Sequence, residues 1–413
     1  MSTENNVTPI EEVKEAKENH QTSEKNNETA SDKSVNKANN TDKSKSKKYI
    51  SLKNLLENED FMRNNYPEHI PTGFDGLDSL LGGGLPTGLT VLGAISSLGK
   101  STFSLQIAQN IASNIENQGR KVIYFSLEMT GHAIILKALQ RKAFENLINN
   151  PKSDYVLPDD YELCLKNSKD TVSMEDLHSF FIRKSKEKRN KLQEVIEIVK
   201  KETENLFVVE RSLENDAFSG EKIKEYIHKF IKDNEDIKKP VVFIDYLQIL
   251  SSESKKPISE KQVIDENIQA LWRLANDKDN PLPVVVLSAL NREAYNKSIS
   301  FASFKESGGI EYTADVVLGM QFSALHGQIN NKDFNADFEK TKDPRDVEIV
   351  VLKQRYGKTG TDVFTRFDFY PKFNCFIEKE VNIDKSNDKE KTPKQTKSSK
   401  KQLSMPHRTN PKN

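Results

Sequence analysis

"GLTVLGAISSLGKSTFSLQIAQNIASNIENQ", residues 88–118, decides the fold. Its opening, GLTVLGAI, is an apolar run that reads as a strand. Its end, KSTFSLQIAQNIASNIENQ, carries apolar residues at i, i+3 and i+4 spacing and reads as a helix. Between them AISSLGKST, Ala94 to Thr102, fits G-x-x-x-x-G-K-[ST] with Ala94 in place of the first glycine. Backbone amides of such a loop, with the helix N-terminus behind them, are suited to wrapping phosphates. Lys100 is placed to reach the β- and γ-phosphates of ATP, and the Ser101 hydroxyl to bind Mg²⁺. Ser97, Gly99 and Thr102 complete the candidate nucleotide contacts. A chance Gly-Lys-Ser at a helix start is the bland alternative, and the strand–loop–helix context argues against it.

The pattern continues outward. KVIYFSLEM (121–129), PVVFIDYLQIL (240–250), PVVVLSAL (283–290), ADVVLGMQF (314–322) and the run Val347 to Leu352 read as strands, and DENIQALWRLAND (265–277) as a helix. Apolar strands alternating with helices predict an α/β fold, a mostly parallel twisted sheet with helices on both faces. Residues 131–239 are charged and helical in pattern, as in SKEKRNKLQEVIEIVKKETENL, and are expected to form a peripheral helical insertion. ISLKNLLENEDFMRN (50–64) predicts a short amphipathic helix within a linker, 49–69.

The 413 residues carry 62 basic and 62 acidic side chains, so no global field announces a polyanionic partner. With 30% charged and only 35% apolar residues, the chain is too polar for one compact globule. The polarity sits at the ends. Residues 1–48 and the lysine-rich stretch 379–413 cannot bury enough apolar surface to offset ordering and are expected to be disordered. For the second stretch, a solvated tail and a non-specific phosphate-binding arm are both open. No apolar run is long enough to span a membrane, and the start, MSTENN, has no apolar signal region. Cys164 and Cys375 are far apart and the seven histidines lack ligand spacing, so neither a disulfide framework nor a metal cluster is expected. These features predict a cytoplasmic protein.

Two carboxylates end apolar strands. Asp245 in VVFIDYLQ is costly to place unless it serves something, and a Mg²⁺-directed group opposite a phosphate loop is such a service; a helix N-cap is the alternative. Gln248, three residues on, is grouped with it as a nucleotide-facing residue. Glu128 in YFSLEM is a candidate for polarising the attacking water, though strand-end glutamates are common. VVLKQRYGKTG (350–360) raises a different question, since Lys353 and Arg355 stand together where a strand ends. A solvated edge tolerates such a pair, and so does an anionic site on another subunit.

Read together, FSLEM, FIDYLQIL, VVVLSALNR, KESGGIEYTADVVL and KQRYGKTG resemble, in order, the ATPase domain of the DnaB family of replicative hexameric helicases, over about 70–378. The resemblance implies a RecA-like fold, ATP with Mg²⁺ between subunits of a homo-oligomeric ring, a hexamer, and translocation on single-stranded DNA, with other replication proteins as further partners. It implies phosphate binding by Lys100 and Ser101, a catalytic base at Glu128 and metal support from Asp245. Lys353 and Arg355 become groups that reach a neighbouring subunit's nucleotide. NREAYNKSISFASFKESGGIE (291–311) becomes the DNA-facing loop, with Lys305, Glu306 and Gly308 as the matching residues. Lysine adds charge, glycine admits a close backbone approach, and no aromatic platform is visible, so contacts to the DNA backbone are expected.

This chain departs from the family pattern in three places. A polar segment stands where the family carries a globular collar domain. Ala289 in SALNR replaces the family's glutamine, thought to sense the γ-phosphate. The opening IPTGFDGLDSLLGGGLPTG looks more like RadA-type or KaiC-type relatives. A RadA-like recombination ATPase and a slow regulatory or assembly ATPase are therefore the competing readings.

Overall fold

The computed structural model describes residues 51–59, 68–115, 119–149, 186–211, 218–234, 239–305, 307–328 and 331–382. The chain divides into two units after Asn65. In the first, the described part holds a helix at Leu52–Leu56, with Leu52 and Leu56 exposed; residues 60–64 of the helix expected over 50–64 lie outside the described residues. Residues 1–50, like most of the expected C-terminal tail, lie outside the described residues.

The second unit opens with a small antiparallel pair, β1 (His69–Ile70) and β2 (Leu85–Pro86). Nine strands then form one sheet: β3 (Gly88–Ala94), β4 (Val122–Ser126), β5 (Leu206–Glu210), β6 (Val241–Asp245), β7 (Pro283–Ala289), β8 (Val316–Phe322), β9 (Arg345–Gln354), β10 (Phe364–Tyr370) and β11 (Cys375–Asn382). Their spatial order is β11-β10-β9-β8-β3-β7-β6-β4-β5. The six strands from β8 to β5 run parallel, and β9, β10 and β11 extend the sheet antiparallel. Every residue of β3, β4, β6 and β8 is buried. That is why these strands read as unbroken apolar runs, because parallel strands are covered on both faces. The expected mostly parallel α/β architecture is the one observed.

Several boundaries differ from expectation. The 131–239 region is not wholly helical. Helices span Gly131–Ile148, Lys186–Glu202 and Gly220–Asp233, but LFVVE forms β5, an edge strand pairing parallel with β4. β5 is only partly buried, so its sequence lacks the apolar run that marks its neighbours. β10 and β11 have no counterpart in the sequence reading, and β11 runs to Asn382, past the boundary drawn at 378.

An anion costs most where it is buried, and Glu348 in the middle of β9 is fully buried. It accepts hydrogen bonds from Gln321 (2.5 Å) and, at 2.9 Å, faces His326 Nδ1. Parallel pairing matters most for function, because it gathers strand ends. Ala94 lies opposite both Ala289 and Met320, and Ser126 opposite Asp245. The carboxyl ends of β3, β7, β6 and β4 therefore share one edge, the usual place for a ligand crevice in an open α/β sheet.

Candidate functional site

At that edge the chain leaves β3 into Ile95–Gly99 and enters the helix Lys100–Ser113. Ser97 (φ 62°) and Gly99 (φ 95°) both take left-handed backbone. Serine adopts this region only at a cost, and the result is a concave run of amides ahead of a helix N-terminus. Gly99 is required for a second reason: a Cβ there would sit 2.7 Å from the Phe369 ring and 2.8 Å from that of Phe376. Those two rings stack at 4.2 Å and support the loop from β10 and β11. Arg345, at the start of β9, donates from Nη1 to the Ser97 carbonyl (2.7 Å), its guanidinium 5.5 Å from the Phe369 ring centroid. The sequence reading found none of these three supports. They lie about 250 residues or more along the chain from the loop they hold, and nothing local marks them.

Lys100, Ser101, Glu128 and Asp245 converge here. Lys100 Nζ lies 4.9 Å above the Tyr246 ring, within electrostatic reach of Asp245 and Glu128. Burial pulls its pKa down, and the two carboxylates oppose that. Asp245 is 1% exposed. Burial pushes its carboxyl above the usual carboxylate range, against the Ser101 hydroxyl and Lys100, while Glu128 adds to the rise. Asp245 Oδ2 accepts from Tyr124 OH (3.2 Å), and Oδ1 has no hydrogen-bond partner. A buried, orphaned carboxylate oxygen beside a serine hydroxyl is an oxygen donor set that fits Mg²⁺. Glu128, by contrast, is exposed on the turn after β4.

Two expected nucleotide contacts are otherwise engaged. Thr102 Oγ1 donates to Asn374 Oδ1 (3.3 Å) and accepts from Lys137 Nζ (3.1 Å). Lys137, which the sequence reading passed over, thus brings a second ammonium to this helix, its pKa lowered by burial and raised in part by Asp245. The Gln248 amide is spent on β7, donating to Ser288 Oγ (2.9 Å) and accepting from Ala289 N (3.1 Å).

Lys353 and Arg355 are not brought to this site. β9 runs antiparallel to β8, so its last residues lie at the opposite end of the sheet, with Gln354 opposite Val316. Neither cation stands free on a solvated edge. Lys353 Nζ donates to the Glu311 carbonyl, and Arg355 Nε pairs with Asp315 Oδ1 at 2.5 Å. Asp315 also accepts from Leu89 N (2.8 Å) and Asn276 Nδ2 (3.0 Å). The pair's distance from the chain's own phosphate loop comes from strand direction, since only β8 separates β9 from β3.

The 291–311 segment is more ordered than a polar loop. It makes 3₁₀ turns at Arg292–Asn296 and Phe301–Ser303 and a helix at Ser307–Thr313. Lys305 is exposed, Gly308 opens the helix, and Glu306 lies outside the described residues. A Cβ on Gly308 would meet nothing within 4 Å, so no contact inside the chain demands a glycine there.

Residues 69–152 and 165–378 match the profile of the DnaB-like helicase C terminal domain. The chain belongs to this family. It is 25% identical over 320 residues to the replicative DNA helicase DnaB of Geobacillus stearothermophilus, covering 77% of this chain and 58% of the relative. To that of Helicobacter pylori strain 26695 it is 28% identical over 326 residues, covering 72% and 57%. The chain thus spans under three-fifths of the length of these relatives. A DnaB-like replicative helicase whose structure addresses its interactions with primase superposes with TM-score 0.55 at 20% identity, covering 80% and 68%. A solved ATPase domain superposes with TM-score 0.54 at 19% identity, covering 79% of this chain and 98% of that one. The fold is therefore the RecA-like one of DnaB-type ATPase domains, and the RadA-type reading of the opening gives way. No helix among the described residues is long and apolar enough to cross a membrane.

Proposed function

We propose that this chain is the motor of a replicative DNA helicase, hydrolysing ATP with Mg²⁺ as a head-to-tail ring, a hexamer by family precedent, that moves on single-stranded DNA. One observation carries the reading: four groups suited to phosphoryl transfer converge at the carboxyl edge of the sheet, while two cations suited to the same reaction sit at the opposite edge.

The loop amides and Lys100 bind the triphosphate and fix the γ-phosphoryl group in line for attack. Ser101 and Asp245 would hold Mg²⁺, which neutralises phosphate charge when bound. Glu128, solvent-facing beside the loop, accepts the proton of the attacking water. Lys353 and Arg355 serve the neighbouring subunit's nucleotide, where an arginine is worth ~10³–10⁵ in turnover. Lys305 and Gly308 face the DNA backbone, which predicts weak sequence preference and strong salt dependence; Glu306, the third matching residue, lies outside the described residues.

Subunit mixing tests the arrangement. Arg355→Ala and Lys100→Ala proteins should each be nearly inactive, and mixing should partly restore ATPase at interfaces that pair an intact loop with an intact finger. Arg355→Ala protein that hydrolyses ATP normally while DNA-bound would reject the in-trans role. Light scattering with and without ATP gives the oligomeric state independently.

A further inference from the structure

Ala289 ends the strand beside β3 and offers no polar side-chain atom, yet its backbone amide is engaged. Gln248, three residues past Asp245, accepts from Ala289 N and donates to Ser288 Oγ. Ser288 is fully buried. This amide bridges the segment leaving the candidate metal site and the end of β7. From there the contacts continue without a gap. Leu290 N donates to the Ala94 carbonyl at the start of the phosphate loop (3.3 Å), and Leu290 bridges to Phe304. Asn291 N donates to the Ser303 carbonyl (2.8 Å). Asn291 Nδ2 reaches the carbonyls of Ala302 (3.2 Å) and Phe304 (3.3 Å). Phe304 is 1% exposed, and its ring fills the notch left by Gly93, where a Cβ would overlap it. The next residue is Lys305, exposed.

We propose that Gln248 is a positioning residue that relays the nucleotide state at Asp245 to the Lys305 loop, through the backbone of Ala289. The inference rests on the reading of that loop as the DNA face. Both ends of the Gln248 amide are committed. A shift of the Asp245–Gln248 segment on nucleotide binding must therefore break a hydrogen bond or carry the end of β7 with it. The end of β7 is in turn bonded to the backbone on both sides of Ser303, so the loop follows.

The readout is the coupling between two ligands, which a merely static clamp would not change. Binding of a fluorescent oligo-dT to the full chain is titrated with Mg²⁺ and a non-hydrolysable ATP analogue, then with Mg²⁺ and ADP, and the ratio of the two Kd values is taken. The wild-type ratio should differ from one by about fivefold or more, the lower end of typical coupling. Gln248→Ala should bring it close to one. Gln248→Glu keeps the acceptor for Ala289 N, and the Ser288 hydroxyl can turn to donate to the carboxylate, so it should keep most of the wild-type ratio. Ser288→Ala, a smaller change that leaves the fold less exposed to damage, should lower the ratio and add nothing to Gln248→Ala. A wild-type ratio of one, or an unchanged ratio in Gln248→Ala and Ser288→Ala, overturns the relay. Lys305→Ala separates the two levels. If it weakens DNA binding while the Gln248 variants keep the wild-type ratio, the relay alone fails. If DNA binding ignores it, the DNA face and the relay fail together.

Discussion

Asp245→Asn should stabilise the ligand-free protein while destroying its function. The carboxylate is buried with one oxygen unpaired, and burial raises its pKa above the usual range. Ionised Asp245 is therefore a net cost to the fold. An asparagine keeps the shape and can still bond Tyr124 OH; Lys100 loses Asp245, the larger of its two counter-charges, and keeps Glu128, which offsets part of the gain. Removing an unsatisfied buried charge of this kind is worth about 1–3 kcal/mol, or roughly 2–4 °C in Tm for each kcal/mol in a domain of this size. The sign with pH follows from the raised pKa. The folded state holds the Asp245 proton to higher pH than the unfolded chain does, so this contribution is complete below the ordinary carboxylate pKa. It is lost as pH rises through the raised value. The variant should lack that loss, and its advantage should be greatest at neutral pH and vanish in acid. Mg²⁺ and ATP should reverse the order. At a hundredfold excess over Kd, binding adds about 2.7 kcal/mol to the wild type, and the variant, lacking its metal ligand, should gain much less. Thermal unfolding of both proteins, with and without Mg²⁺ and ATP, at pH 5 and pH 7.5, measures all of this. A variant less stable than wild type without ligand at pH 7.5, or one with an undiminished ligand shift, would refute the account of Asp245 as a strained metal ligand.

Lys100→Ala should abolish hydrolysis, since it removes the cation facing the transferred phosphoryl group; wild-type turnover would reject the phosphate-loop assignment. Glu128→Gln should bind ATP with near wild-type affinity yet turn over ~10²–10⁴-fold more slowly, because only proton acceptance is lost; a parallel loss of binding would make Glu128 a structural residue. Lys305→Ala should weaken single-stranded DNA binding alike across sequences and lower the salt slope by about one phosphate contact per bound subunit. An unchanged slope would place the DNA elsewhere, and truncation at residue 382 then tests the lysine-rich segment.

The β3–loop–helix unit was legible because its signals are local: strand, glycine, lysine and helix are contiguous, and each step has its own spacing. Asp245 was legible as an acid ending a buried strand, whereas Glu128 carries only a weak signal of its own and was singled out through the family resemblance. What failed to show was set by long-range packing. β5 is half exposed at an edge, so its five residues merge into a charged helical stretch. β10, FTRFDFY, alternates aromatics with Arg366 and Asp368, yet its register is fixed by β9 and β11, and only in that frame do Phe367 and Phe369 become core. Arg345 reads as one more charge in the run KTKDPRD until the sheet brings it to Ser97. Spacing did locate Gln248 near the site, but not that its amide turns toward β7.

The cation pair raises a question of energy as well as place. Arg355 is held by Asp315, so in the in-trans role proposed above it must first let go. That release has a cost. The Arg355 side chain is 48% exposed but that of Asp315 only 10%, so the pair exceeds the roughly 0.2–1 kcal/mol of ion pairs open to solvent on both sides. Leu89 N and Asn276 Nδ2 still donate to Asp315 Oδ2, but Oδ1, which faces Arg355, must then find another donor. Against this stands a gain of ~10³–10⁵ in turnover, or roughly 4–7 kcal/mol of transition-state stabilisation. Geometry adds direction. Asp315 is hydrogen-bonded to Leu89 near the start of β3, whereas the Ile95–Gly99 loop leaves from its end at Ala94, and five residue steps at ~3.3 Å each separate the two by about 16 Å. A single arginine side chain does not cross that gap inside its own subunit. On the proposed in-trans role, stacking the finger end of one subunit on the loop end of the next would complete a site at each contact, and such a heterologous contact gives a ring where its rotation closes.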